Sequence, residues 1–253
     1  MTREYRLFGD SHCNAIMGGK LALQAAGKPV PVRLAGVNML GAATVFYGDF
    51  HVRRGNDIFL THHLFKGRMA GLCDDHGRML APAGDFLVSL GLHTQTMLAG
   101  RLFLNHAPAF ASPRPARAFM SEGALSAVVL RYHSRTLDFL RDLQDLGARI
   151  TIVSAPPPTR RFKILGTGYA EEDVAALDRF LRGVMVQRLD AMGIPVIPPP
   201  PQVSDEAGFM LPPYQIADEN DPHHGNRDYG ALMIGQIAAF LTQREPHLQP
   251  ADG

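Results

Sequence analysis

Cysteine is scarce in this chain. Of 253 residues only Cys13 and Cys73 carry a thiol, in no metal-ligand spacing. Two isolated thiols argue against a disulfide framework and fit a reducing compartment, the cytoplasm. Charge of one sign is missing as well: 25 basic residues face 24 acidic ones, for a net charge of +1. No electrostatic footprint for a nucleic acid or a membrane surface is therefore expected. No apolar run approaches the roughly 20 residues of a membrane span. The opening MTREYRLFGDSH turns polar within a few residues and lacks the apolar stretch of a secretory signal. Internal repeats are lacking too, and the proline run at 198–201 is the one low-complexity tract. What remains is 46% hydrophobic and 19% charged, the composition of a globular chain long enough to bury a core.

Five compact apolar runs ended by Gly, Ser or Pro read as buried strands: 4–9, 30–36, 85–91, 149–155 and 194–198. Helical patterns lie between them at 11–27, 121–147, 171–192 and 227–242. The clearest is 121–147, where Leu125, Val129, Tyr132, Thr136, Phe139 or Leu140, and Leu143 recur at steps of three or four and Gly147 supplies a stop. Strand–helix alternation of this kind predicts an α/β fold, a mainly parallel five-stranded sheet covered on both faces. The economical reading is a single domain over 1–253, with an irregular insertion at about 48–84 that holds four of the eleven histidines. A second irregular stretch, 199–226, is rich in Pro, Asp and Asn. Long irregular segments in compact domains tend to be functional loops or flexible ones.

Ligands of parallel sheets bind at the carboxyl ends of the strands. The turn after the first strand, Gly9-Asp10-Ser11-His12, stands on that edge, as do the turn at 91–93 and the loop before the last helix. A serine hydroxyl is a weak nucleophile until a base takes its proton, and the base must be oriented by a third group. DPHHGN at 221–226 offers both. Asp221 and His224 are three apart, which on a turn or a first helical turn puts them on one face. That spacing favours His224 over the adjacent His223. Taken singly, Ser11 could be a helix N-cap and Asp-x-x-His a cap beside a solvated histidine. As a pair at the two ends of the chain, they point to nucleophile and base.

These segments resemble the SGNH (GDSL-type) hydrolases, in a divergent GDSH form. FGDSH at 8–12 matches the family's first block, NMLGAAT at 38–44 its glycine block, SLGLHT at 89–94 the position of its third, and DPHHGN its Asp-x-x-His block. The resemblance implies a flavodoxin-like three-layer α/β/α sandwich and hydrolysis or transfer of an acyl group from oxygen. It implies Ser11 as nucleophile, His224 as base and Asp221 as the orienting acid. It also implies an oxyanion hole built from the backbone N–H groups of Ser11 and Gly41, with Gly36 near the same strand end. Where the family carries an asparagine side chain as third donor this sequence has His93, and Thr94 replaces the following aspartate. A neutral imidazole still has one N–H to donate.

The expected function is that of a serine esterase or O-acyltransferase acting on a small-molecule or glycan-type acyl ester. No cofactor, metal, nucleic acid or membrane partner is expected. A metal-dependent phosphohydrolase is the alternative from another class, prompted by Gly-Asp-x-His and the many histidines. A non-catalytic ligand binder of the same fold is a third, prompted by His93. Among the remaining candidates, Asp10 reads as a turn or capping residue and His12 as a first-turn surface residue. His62, His63 and His76 read as exposed loop histidines, and GTGYAE at 166–171 as an incomplete dinucleotide fingerprint. Arg53-Arg54 and Arg160-Arg161 read as solvated charges, with an anionic substrate group as the sharper reading of the second pair.

Overall fold

A computed structural model describes residues 3–92, 97–98 and 101–244. Five strands form the central sheet: β1 (Tyr5–Gly9), β2 (Leu34–Met39), β5 (Asp85–Leu90), β8 (Arg149–Ser154) and β9 (Val196–Ile197). They lie in the order β2-β1-β5-β8-β9, and every pairing is parallel. This is the flavodoxin-like doubly wound order. The remaining strands make two ribbons, β3 (His51–Arg54) with β4 (Asp57–Leu60), and β6 (His106–Pro108) with β7 (Ala118–Met120).

Alternation of side chains along the strands builds two cores. Phe8, Phe86, Val88 and Ile152 point to one face, under helices α3 (Glu122–Tyr132), α4 (Ser134–Asp145) and α5 (Glu171–Asp190). Leu7, Leu87, Val153 and Ile197 point to the other, under α1 (Cys13–Ala25) and α6 (Arg227–Arg244). A short helix, α2 (Leu102–Asn105), precedes β6. Both faces are covered, which is why the strands read as continuous apolar runs rather than alternating ones.

Two elements differ from the sequence expectation. The second strand begins at Leu34 rather than at 30 and runs on to Met39. Pro29 and Pro31 have no N–H to give to a ladder, so pairing starts only beyond them. Gly36 consequently lies inside the strand, opposite Arg6, while Gly41 stands just past its end. The long helix at 121–147 is two helices that meet at buried His133. The Ser134 hydroxyl donates to the Arg131 carbonyl at 2.9 Å, a local bond that competes with the helical ladder.

Residues 48–84, which show little periodicity in the sequence, contain the β3–β4 hairpin, turning at Gly55 with φ +61°. Phe50, Ile58, Leu60, Phe65 and Leu72 are buried in the first core, so the segment is packed rather than loose. His51 and Arg53 bind Asp142, and Arg53 also binds Asp145, which fastens the hairpin to α4. Arg53 is therefore paired, while Arg54 stacks 5.1 Å from the centre of the Phe59 ring.

The site is positioned by the contact of α1 with α6. A Cβ on Gly230 would stand 1.7 Å from the Ala15 carbonyl oxygen, and one on Gly19 would stand 2.2 Å from Ala231 N. Glycine at both places lets the two backbones touch, which brings the start of α1 against the start of α6.

Candidate active site

The β1 strand ends at Gly9, whose φ is +152° and whose missing side chain would collide with the Ser89 carbonyl. Only glycine lets β1 approach β5 this closely and then turn. Asp10 follows, almost completely buried. One of its carboxylate oxygens accepts the His12 N–H at 3.0 Å and the other the Gly91 N–H at 2.7 Å. It is thus the turn residue the sequence suggests, and also a clip between the ends of β1 and β5. Burial pushes its carboxyl up to about 7, against the pull of these two hydrogen bonds.

Ser11 is presented at the top of that turn, half-exposed. It does not cap α1: the capping position falls on His12, and no side chain there bonds a helical N–H. The Ser11 hydroxyl instead meets His224 Nε2 at 2.7 Å. His224 Nδ1 in turn lies 2.7 Å from Asp221 Oδ2. Asp221 and His224 come together on a loop ahead of α6 rather than on a helical turn. The Asp221 Oδ1 atom accepts the backbone N–H groups of His223 and His224, each at 3.1 Å, and this aspartate turn folds the chain back so that the imidazole faces its own orienting carboxylate. Partial burial opposes the Asp221 charge, but hydrogen bonds from the His224 ring and the two backbone N–H groups outweigh it and hold the carboxyl below its usual range.

His223 takes a separate position. Its Nδ1 is 3.6 Å from Asp221 Oδ1 and its ring centre lies 4.1 Å from that of His224, tilted by 41°. Burial, reinforced by the neighbouring His224, lowers its pKa, while Asp221 pulls the other way. His12, expected on the surface, is buried, because the 221–226 loop lies against it; its ring is 6.0 Å from that of His223 and 5.0 Å from that of His224.

Three residues that sequence reasoning missed or misread hold the loop. The buried Thr159 hydroxyl donates to the Pro222 carbonyl. Arg161 donates to the carbonyls of Ile216 at 2.9 Å and Asp218 at 3.1 Å. Asn226 caps α6 by accepting the N–H groups of Asp228 and Tyr229, and its amide donates to the carbonyls of Pro213 and Gln215. A Gly-Asn pair just before the last helical pattern was the available signal for that cap. Arg160 binds Glu171 and Asp205 and lies over the Phe209 ring. Arg160 is exposed, as expected of a solvated charge, though ion-paired; Arg161 is not, and braces the loop that carries Asp221 and His224.

The Leu40 N–H donates to the Gly9 carbonyl at 2.9 Å, so the chain at Gly41 leaves β2 beside the Ser11 turn on the same sheet edge. His93 and Thr94 lie outside the described residues. His63 and His76 are exposed and His62 is half-buried, its ring stacked on His63. Asp10, which metal chemistry at Gly-Asp-x-His would need as a ligand, has both oxygens engaged by backbone N–H groups. Beside Ser11 and His224 a groove of about 730 Å³ opens between α1 and the loop, lined by Asn14, Ile216, Asp221, Asn226, Arg227 and Asp228 among others.

Fold and site together define an α/β protein with a serine, a histidine and an aspartate in hydrogen-bonded line at the carboxyl edge of a parallel sheet. Neither a protein-family model nor a curated protein matches the chain by sequence. Some solved structures share part of its chain path at low sequence identity. A Bacteroides fragilis protein provisionally named an acylhydrolase is 11% identical, covering 96% of this chain and 88% of its own, with a TM-score of 0.48. A phospholipase A1 from Streptomyces albidoflavus is 10% identical, covering 95% and 99%, at 0.47. A GDSL-like lipase from Bacteroides thetaiotaomicron is 11% identical, covering 94% and 89%, at 0.43. At such identities the chemistry of the site has to follow from its own atoms.

Proposed function

We propose that this protein is a serine hydrolase of the SGNH kind, acting on ester-linked acyl groups. The observation that carries the reading is His224, whose two ring nitrogens each sit 2.7 Å from a partner, Ser11 on one side and Asp221 on the other. Ser11 Oγ attacks the ester carbonyl while its proton passes to His224 Nε2. Asp221 holds the Nδ1–H tautomer and stabilises the imidazolium. The C–O bond to the alcohol then breaks, and His224 returns the proton to the leaving oxygen. Water, deprotonated by His224, attacks the acyl-serine and frees Ser11; a second alcohol in its place makes the protein an O-acyltransferase. The N–H groups of Ser11 and Gly41, with the His93 side chain as third donor, receive the charge that develops on the carbonyl oxygen.

The groove beside Ser11 places the polar side chains of Asn14, Asn226, Arg227 and Asp228 around a largely apolar lining. Those polar groups can orient a small-molecule or glycan-type acyl ester, while the apolar surface takes its hydrocarbon part. Both cysteines are free and buried, which suits a cytoplasmic setting. No helix among the described residues is long and apolar enough to cross a membrane.

Labelling with a fluorophosphonate, together with turnover of acetyl and longer nitrophenyl esters, tests the reading. Ser11→Ala should abolish labelling, and Ser11→Ala and His224→Ala should each lower turnover by orders of magnitude without adding. His223→Ala should cost far less. Absence of labelling in the wild type would favour a non-catalytic ligand binder instead.

A further inference from the structure

We propose that Asp221, His223 and His224 form a binding site for a zinc-type divalent ion, and that the ion switches the Ser11 centre off. The switching part rests on the ester chemistry proposed above; the binding part does not.

The three side chains offer one ligand atom each, all within 4.8 Å of one another. Zinc binds imidazole nitrogen and carboxylate oxygen at about 2.0–2.2 Å, so two ligands of a tetrahedral ion stand roughly 3.4 Å apart. Asp221 Oδ1, 3.6 Å from His223 Nδ1, keeps its two backbone N–H bonds, so the ion takes the other carboxylate oxygen, Oδ2, and His223 turns toward it. His224 Nδ1 and Asp221 Oδ2 are at the hydrogen-bond distance of 2.7 Å, and must part by some tenths of an ångström for an ion to replace the proton between them. The side chains of Asp221, His223 and His224 are 20%, 36% and 22% exposed, so an ion can enter from solvent and keep water as its fourth ligand. Two imidazoles and one carboxylate suit zinc, whereas magnesium and calcium prefer oxygen ligands throughout.

The consequence follows from tautomers. A neutral imidazole carries one proton. With the ion on Nδ1, the Nδ1 proton leaves to solvent and Nε2 takes one up, so the ring stays neutral. Nε2–H then faces Ser11 Oγ as a donor and has no lone pair with which to take the serine proton. Asp221, now a ligand, no longer orients the base. His223 has no step in the ester chemistry, and this makes the two roles separable.

The test uses metal-free protein. Titration calorimetry with zinc chloride should show one ion bound per chain. His223→Gln should weaken that binding by more than about a hundredfold, beyond the effect of losing a second-sphere partner, while leaving metal-free ester turnover close to wild type. Zinc should slow both nitrophenyl ester turnover and fluorophosphonate labelling of the wild type, with EDTA restoring both and magnesium doing nothing. Equal zinc affinity in wild type and His223→Gln, or no binding, overturns the site. Turnover that rises with zinc overturns the switch. Zinc binding that depends on His223 in a protein with no ester turnover and no labelling would sink the proposed function and leave the metal site standing.

Discussion

The Ala15 carbonyl oxygen occupies the space where a Cβ on Gly230 would stand, 1.7 Å from it. This contact sets the distance between the helix that begins just after Ser11 and the helix that begins just after His224. Gly230→Ala should therefore push the two helices apart. Overpacking of this sort costs about 1–3 kcal/mol even when side chains can yield, and here the obstacle is backbone. A lower thermal midpoint and a loss of ester turnover are expected together. Gly235→Ala, on the same helix with nothing within 4 Å, is the control and should stabilise by up to about 1 kcal/mol. If Gly230→Ala melts and turns over like the wild type, the crossing does not hold the site.

Asp10 should make stability depend on pH. Its carboxyl is raised by burial from 3.8 to about 7, so the folded protein holds that proton more tightly than the unfolded chain does. The resulting contribution to stability is full below about pH 4 and is lost as pH rises through about 7. Urea unfolding of wild type and Asp10→Asn at pH 4.5, 6 and 7.5 isolates it. The difference should move steadily in favour of the variant as pH rises, whatever its starting value. Parallel curves would mean that Asp10 carries no such proton.

Arg161 should act at a distance from the chemistry, through the carbonyls of Ile216 and Asp218. Arg161→Met keeps the length of the side chain and removes the two bonds to the loop that bears Asp221 and His224. Turnover should fall several-fold, since displacements near 1 Å in such constellations cost up to about a hundredfold. Fluorophosphonate labelling should slow in proportion, and the melting temperature should change little. Unchanged labelling would show that the aspartate turn alone keeps His224 in place.

His93 stands where the resemblance to SGNH hydrolases calls for an asparagine. Removing one oxyanion donor typically lowers turnover about a hundred- to a thousand-fold. His93→Ala should do so with little change in KM, and His93→Asn should recover part of the loss. Should His93→Ala instead raise KM, with His93→Asn no better, His93 is a substrate contact. Equal turnover in wild type and His93→Ala removes it from the mechanism.

Much of this was legible in the residues themselves. Apolar runs closed by Gly, Ser or Pro marked all five strands of the sheet, because buried parallel strands need no polar face. The alternation with amphipathic stretches implied helices on both sides. Asp221 and His224 could be offered as a pair, because residues three apart share one face of a helical turn, but only together with Ser11 did that spacing point to a base. The limits of that reading are equally physical. Arg161 looks like a solvated charge in one dimension, since nothing local to it accepts its bonds; the Ile216 and Asp218 carbonyls arrive from elsewhere in the chain. His12 looks like a surface residue until the loop bearing His223 and His224 is laid against it. The Asp10–Gly91 bond joins two strand ends 81 residues apart, and the Ser11–His224 bond joins residues 213 apart. Local sequence determined which chemical groups were offered and in what short-range geometry. Their meeting was decided by the order of strands in the sheet and by two glycines that let helices touch, because distances across a fold are set by packing, which no stretch of sequence contains by itself.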